Sequence, residues 1–392
     1  MSRRGFSGGR PSETGNAGRL LGSPLLVAAS VLAVYGASLA AWFQAGHRAG
    51  DFVGVGERFL RASSVSRAIQ EGPVRATSPV GYDGQTYYYM AIDPPLAAPY
   101  LDNPGYRYQR IAYPLAARAV VLGRQQLVPE GLLAVNLVAI AGGTLALAAW
   151  LRRRRLSPWI AAVWGLHPGQ VVSLQRDLAD AAGYAVVAVG LWLRDRSAIA
   201  ASLTFGLAGL TRETTLIFPV LLAGADLLGR RRRRSRCLLE LAIAVLPFAV
   251  WKLFLTGWLT WSGHAGGSFN PVTEIFSPVP FAGIAYWLPR EPGALPVLSA
   301  VIVPALICLA VAAWAAWRRL WSVETALLAA NVLPVVFAAS AVWAWAPSGP
   351  RQALGAVLAA ILTLTGLPAR GWFWLAAGFW LWLAPVWLLR PL

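Results

Sequence analysis

Apolar runs near the length that crosses a bilayer, about 20 residues each, recur along the chain with short polar or arginine-rich breaks between them. The first, about Leu21 to Gly46, is too long for a signal-peptide core and lacks a convincing cleavage site, so it predicts a retained transmembrane helix. A polar, Gly-rich, basic segment precedes it, and the composition of residues 1–20 predicts a disordered tail. Runs at Gly131–Leu151, Leu156–Gln175, Leu178–Leu193, Cys237–Leu259, Ala294–Trp317, Ser322–Trp343, Arg351–Leu367 and Trp372–Leu389 predict further helices. The stretch from Ser197 to Gly229 is different. Arginines bound it at both ends and it is too short for two full crossings. This predicts two short helices that meet at Thr211-Arg212-Glu213-Thr214 part-way into the membrane and line a cavity.

Composition agrees with this pattern: 57% of the residues are hydrophobic and only 13% charged. The formal net charge of +17 would suggest nucleic acid in a soluble protein, but the arginines sit at the ends of apolar runs, as the positive-inside bias requires. Nucleic-acid binding is thereby excluded as the reading of this charge. Basic edges at Arg152–Arg155, Arg194 and Arg196, Arg230–Arg234 with Arg236, Arg318 and Arg319, and Arg370 are assigned to the cytoplasmic side.

Ile111–Leu122 also reads as helical. A crossing there would carry Arg152–Arg155 outside, so the segment is expected to lie flat at the outer interface. The expected fold is an all-α polytopic membrane protein with about eleven transmembrane helices, residues 21–392 forming a single domain. A long first outer loop, residues 47–129, carries juxtamembrane helices, and residues 260–293 form a second. The N-terminus is expected in the cytoplasm and the C-terminus outside, in a bacterial plasma membrane. No internal repeat supports a transporter built from duplicated halves. Cys237 and Cys308 predict no disulfide, and no Cys/His spacing predicts a metal.

Chemistry concentrates in Gly81-Tyr82-Asp83-Gly84-Gln85-Thr86-Tyr87-Tyr88-Tyr89-Met90-Ala91-Ile92-Asp93-Pro94. Aromatic faces cover the apolar side of a sugar ring and carboxylates accept its hydroxyls, so Tyr82, Gln85 and Tyr88 are candidate substrate contacts. Asp83 is the candidate general base; the competing reading is an Asx-type turn, since Asp-Gly is a common turn pair. Asp51 is a rival acid after the first helix, in a setting that also suits a solvated loop.

Arg107 and Arg110 could clamp a phosphate bidentately or anchor an interfacial helix to headgroups. Arg176, Asp177 and Asp180 form an outer turn that either reaches the pocket or is capped by an Arg–Asp pair. Arg212 and Glu213, ionisable at membrane depth, call for a partner or an aqueous cavity; Arg212 is a candidate phosphate ligand, and pairing with Arg176 or Asp177 is the alternative. Arg351 opens a helix after a Pro-Ser-Gly-Pro turn and could reach a lipid phosphate. His264 shares the second outer loop with Asn270 and Glu274, while His167 before Pro168 reads as a packed kink residue.

Tyr82-Asp83-Gly84-Gln85-Thr86-Tyr87-Tyr88-Tyr89-Met90-Ala91 resembles the first outer loop of the GT-C superfamily of lipid-linked-sugar glycosyltransferases, in particular bacterial membrane proteins with a Tyr-Asp-Gly-Gln-x-Tyr-Tyr motif. More distantly it is similar to glycolipid mannosyltransferases and aminoarabinose transferases. Tyr106-Arg107-Tyr108-Gln109-Arg110-Ile111-Ala112-Tyr113-Pro114-Leu115 matches the second juxtamembrane helix of such enzymes. The resemblance covers about Gly81 to Pro219. It implies transfer of a sugar, mannose or arabinose-like, from a polyprenyl-phosphate donor to an outer-face glycan, glycolipid or cell-wall acceptor, with inversion and no cofactor. Many such proteins carry two adjacent acids where this chain has Asp83 and Gly84, which puts a paired-carboxylate mechanism in doubt. A transporter or flippase of a lipid-linked or anionic solute, and an inert envelope scaffold, are the competing functions.

Overall fold

The computed structural model describes residues 22–57, 60, 74–229, 233–264, 275–291, 294–368 and 370–390. The predicted tail at residues 1–20, Asn270, Glu274 and part of the 230–236 arginine block lie outside the described residues.

Among the described residues the chain is helical almost throughout. The exceptions are a short parallel pairing of Val55–Gly56 with Ala76–Ser78 inside the first loop and an isolated antiparallel bridge between Phe276 and Ala338. Five helical stretches are long and apolar enough to cross a membrane: Pro24–Gln44, Gln125–Arg153, Arg234–Trp261, Leu295–Trp317 and Gly371–Leu389. Ala198–Thr211, Val323–Val336 and Leu354–Thr363 are equally apolar but shorter.

The Val128–Arg153 helix is the hub of the first half of the chain, packing against Pro24–Gln44, Ala112–Val120 and Ala179–Arg194. Ala198–Thr211 lies between Ala179–Arg194 and Arg234–Trp261. In the second half, Leu295–Trp317 packs on Val323–Val336 and Gly371–Leu381, and Val323–Val336 on Leu354–Thr363. Leu354–Thr363 is apolar and buried all round, which is why its sequence shows no polar face.

Several predicted helices divide, each for a local reason. Leu156–Gln175 is not one helix: Ala161–Gly165 stops and Pro168–Gln175 starts afresh. Pro168 offers no N–H and disfavours helical geometry in His167, which turns extended and accepts a hydrogen bond from the Gly169 N–H at 3.0 Å. His167 is buried, as a packed kink residue should be. The helix begun at Val323 stops at Val336 instead of reaching Trp343. Beyond it the backbone pairs with the second loop, Ser277 N–H to Phe337 O at 2.7 Å and Ala339 N–H to Ile275 O at 2.8 Å.

The short pair appears as expected. Ala198–Thr211 ends where Arg212 turns extended, a single 3-10 turn covers Glu213–Leu216, and Ile217–Leu228 continues. The helix expected at Ile111–Leu122 is Ala112–Val120, whose nine residues span about 13 Å and cannot cross a hydrocarbon core.

The tyrosine-rich segment departs from its expected role. Gly84–Ile92 is a helix buried on every side, with Tyr87, Tyr88 and Tyr89 at 2% exposure or less. These rings pack under Ala112–Val120 and against the Val128–Arg153 hub, in one core with Tyr35 and Tyr113. They build the floor of the loop and are not among the residues that line the cavity described below.

Candidate functional site

Four separate segments deliver charge to one place. The first is the turn at Asp83. A side chain on Gly84 would collide with the backbone carbonyls of Arg176 and Val53, so only glycine lets the new helix start this close to the neighbouring turn. A second acid after Asp83 has no room here. The Asp83 carboxylate does not cap its own helix. It reaches away, with Oδ1 2.9 Å from Arg107 Nη1 and Oδ2 2.8 Å from Arg351 Nη2.

The second segment is the short helix Pro104–Arg107, begun by Pro104 and capped by Asn103, whose Oδ1 accepts from the Tyr106 N–H at 2.9 Å. Asp102 grips Arg107 from behind in a bidentate pair, 2.7 Å to Nε and 2.6 Å to Nη2, which leaves Nη1 aimed at Asp83. One turn on, Arg110 is held by Glu213 at 2.9 and 2.6 Å and by the Tyr106 hydroxyl at 2.5 Å, and its guanidinium lies 4.7 Å from the centre of that ring. Burial exposes only 5% of the Arg110 side chain.

The third segment is the break between the two short helices. Arg212 pairs with the fully buried Asp180, and donates to Thr214 Oγ1 and Gln352 Oε1, each at 3.1 Å. The fourth is Gly349–Gln352, from which Arg351 bridges Asp83 and, at 3.9 Å, Asp180. Asp102, Arg107, Asp83, Arg351, Asp180 and Arg212 therefore form one alternating chain of charge. Burial alone would raise the Asp83 carboxyl, but the Arg107 and Arg351 guanidiniums outweigh it and hold the group well below the usual carboxylate range.

Arg107, Asp83, Arg351 and Arg212 of this chain face a cavity of about 500 Å³. Arg107, Arg110, Arg212 and Arg351 line it together with Asp83 and Glu213, two more cations than anions. The rest of the lining is mostly apolar, formed by Ile217, Ile275 and Phe276 and by residues between Leu333 and Val342, Phe337 among them. The break in the Val323 helix and its pairing with residues 275–277 create this apolar lining. A cavity lined by a cluster of guanidiniums and by a set of apolar side chains suits an amphiphile with an anionic head. Among the described residues no group of three or more His, Cys, Asp or Glu side chains is arranged to hold a metal.

The remaining sequence candidates lie elsewhere. Asp51 accepts from the Arg48 N–H at 2.8 Å and lies 3.6 Å from His47, capping a short turn outside the cavity. Gln85 is buried and ties the loop together, accepting from Gly56 N–H and donating to Val80 O, both at 3.1 Å. Tyr88 is fully buried in the core. Tyr82 packs edge-on against Trp345 at 4.6 Å, with the Arg351 guanidinium 5.5 Å from its ring. It backs the site without lining it.

Of the two roles open to Arg176, Asp177 and Asp180, an Arg–Asp pair capping the turn or a place in the pocket, Arg176 and Asp177 take neither, and Asp180 reaches the site only through Arg212 and Arg351. Arg176 lies 5.2 Å over the Trp345 ring, and Asp177 is fully buried at positive φ (47°), its carboxylate without a hydrogen-bond partner among the described residues. Nor do Arg212 and Glu213 pair with those two; their partners are Asp180 and Arg110. His264 sits 3.3 Å from Ser262 at the end of the Arg234–Trp261 helix, away from the cavity.

Tyr106, Asp102, Gln352 and the apolar lining carry no role in the sequence reading. Tyr106 had a signal: it stands four residues before Arg110, on the same helical face. The apolar lining had none, because its residues look like any other apolar run. Compared with models of protein families, with curated proteins and with solved structures, the chain matches none.

Proposed function

We propose that the protein is an integral membrane glycosyltransferase of the GT-C type. It would move a sugar from a polyprenyl-phosphate donor to a glycan, glycolipid or cell-wall acceptor on the outer face of a bacterial plasma membrane. One observation carries this reading: a single cavity is lined by Asp83, four arginines and a set of apolar side chains. Phosphate would lie against the guanidiniums and the isoprenoid along Leu333, Phe337 and Phe276. The acceptor hydroxyl would attack the anomeric carbon as its proton passes to Asp83. The carbon–oxygen bond to phosphate would break, its electron pair leaving with the phosphate, whose growing charge Arg107, Arg351, Arg212 and Arg110 stabilise. Such a leaving group needs no nucleotide.

The proposal includes about eleven membrane helices, the short pair counted among them, with the N-terminus in the cytoplasm. Mannose and an arabinose-like pentose are the sugars it names first.

The test is transfer of labelled sugar from polyprenyl-phosphate mannose or arabinose in membranes bearing the wild type or Asp83→Asn. Wild-type transfer lost in the variant at equal expression supports the reading. Substrate crossing the bilayer with no new glycosidic bond would replace it with a transporter, and full activity in Asp83→Asn would remove Asp83 as the base.

A further inference from the structure

Both oxygens of Asp83 are taken by guanidiniums, Oδ1 by Arg107 and Oδ2 by Arg351. A carboxylate held this way is a poor base, because the lone pairs that would accept a proton already accept charge-assisted hydrogen bonds. Yet the same two guanidiniums line the cavity and are the groups an anionic head would seek.

Their attachments differ in a useful way. Arg107 is fixed from behind by the bidentate grip of Asp102, so it keeps its place whatever happens at Nη1. Arg351 is partly buried, with its Nε lacking a hydrogen-bond partner among the described residues and its Nη1 near Asp180 at 3.9 Å. Each arginine can therefore turn N–H groups from Asp83 to an arriving anion without leaving the site.

We propose that a lipid phosphate and Asp83 compete for the same guanidinium N–H groups, so that donor binding is what releases the Asp83 carboxylate to accept a proton. The inference rests on the lipid-phosphate reading given above and adds an order of events. In the empty site Asp83 is masked. When phosphate takes Arg107 and Arg351, the carboxylate is left partly buried beside a new anion, the two conditions that favour its protonated form. After transfer, Asp83 holds the acceptor's proton. Departure of the polyprenyl phosphate returns the two arginines to Asp83, which expels that proton to water and resets the site. The base would thus be active only while a donor is present, and the empty site would not deprotonate stray nucleophiles.

The experiment uses the purified full chain in detergent, with farnesyl phosphate as the probe and farnesol as the control lacking phosphate. Two readouts are taken. The first is affinity: Asp83→Asn should bind farnesyl phosphate at least about tenfold more tightly than wild type, since a charge-assisted pair no longer has to be given up, while farnesol binding stays unchanged. The second is the infrared difference spectrum of wild type at about pH 5, above the usual aspartate value of about 3.9. Farnesyl phosphate should bring up a protonated-carboxyl band that Asp83→Asn lacks. The wild-type spectrum does not depend on the variant folding.

If wild type binds farnesyl phosphate but shows no carboxyl band, and Asp83→Asn binds no more tightly, the competition is overturned and the donor reading stands. If wild type shows no preference for farnesyl phosphate over farnesol, the donor reading itself falls and this inference with it.

Discussion

Asp83 is partly buried and Asp177 fully buried, and the turns that carry them touch: Gly84 packs against the carbonyl of Arg176. Their surroundings are opposite. Asp83 has a guanidinium on each oxygen, and those charges hold its carboxyl well below the usual range against the effect of burial. Asp177 has burial first, with the nearby Glu130 adding to it, and its carboxyl is pushed well above the usual range. Burial does not decide the charge of an acid; the partners brought to it do. The chain brings four arginines to one acid-lined cavity and none to the acid of the adjoining turn.

Four substitutions sharpen this contrast, the strongest first. Arg351→Ala removes a guanidinium from the cavity and one of the two partners of Asp83. Sugar transfer should fall at least about 100-fold, as when one preorganised stabiliser of a leaving anion is lost. Transfer within a factor of about three of wild type, at equal expression, would separate the arginine cluster from the chemistry.

Asp83→Asn should lower stability by about 3 kcal/mol at neutral pH, because two partly buried guanidiniums lose their shared anion. Thermal unfolding in detergent reads the loss, and farnesyl phosphate should restore most of it by supplying a substitute anion. The sign with pH follows from the lowered folded value. The contribution of Asp83 is fully present above the unfolded value of about 3.9 and disappears as pH falls through the folded one.

Asp177→Asn should act in the opposite direction, stabilising by about 2 kcal/mol at neutral pH. Its folded value is raised, so Asp177 costs nothing below the unfolded value of about 3.9, and its cost grows as pH rises toward the folded value. The gain from Asp177→Asn should therefore vanish in acid. A destabilised Asp177→Asn would mean that the carboxylate has a partner after all. Asp51→Asn should do least, about 0.5 kcal/mol, since it alters a partly exposed cap; transfer should remain at the wild-type rate.

What could be read in advance follows how far apart in sequence the causes lie. Pro24–Gln44 and Leu295–Trp317 announce themselves as uninterrupted apolar runs. The two short helices around Arg212 were legible because arginines at both ends of Ser197–Gly229 leave no room for anything longer. The break at His167 was half legible: Pro168 marks a kink, but its sharpness depends on the His167 cap. The early stop at Val336 was not legible, since it follows from pairing with residues 275–277, far back in the chain.

The same holds for the site. Arg107, Arg110 and Arg212 stand out as charges in apolar or aromatic settings, and each does line the cavity. Their partners could not be assigned: Arg212 meets Gln352 140 positions away, and Arg110 meets Glu213 103 positions away. Tyr88 misled for a physical reason. An aromatic ring suits a sugar and a protein core equally, and only packing tells which.

The central claim is that the arginine cluster and the apolar lining together receive a lipid phosphate. A cryo-EM structure of the full chain with bound polyprenyl phosphate tests it most directly. The account predicts the phosphate between Arg107 and Arg351, the isoprenoid along Leu333 and Phe337, and at least one oxygen of Asp83 released from its arginine. Polyprenyl phosphate bound elsewhere on the protein, with both Asp83 ion pairs intact, would contradict it.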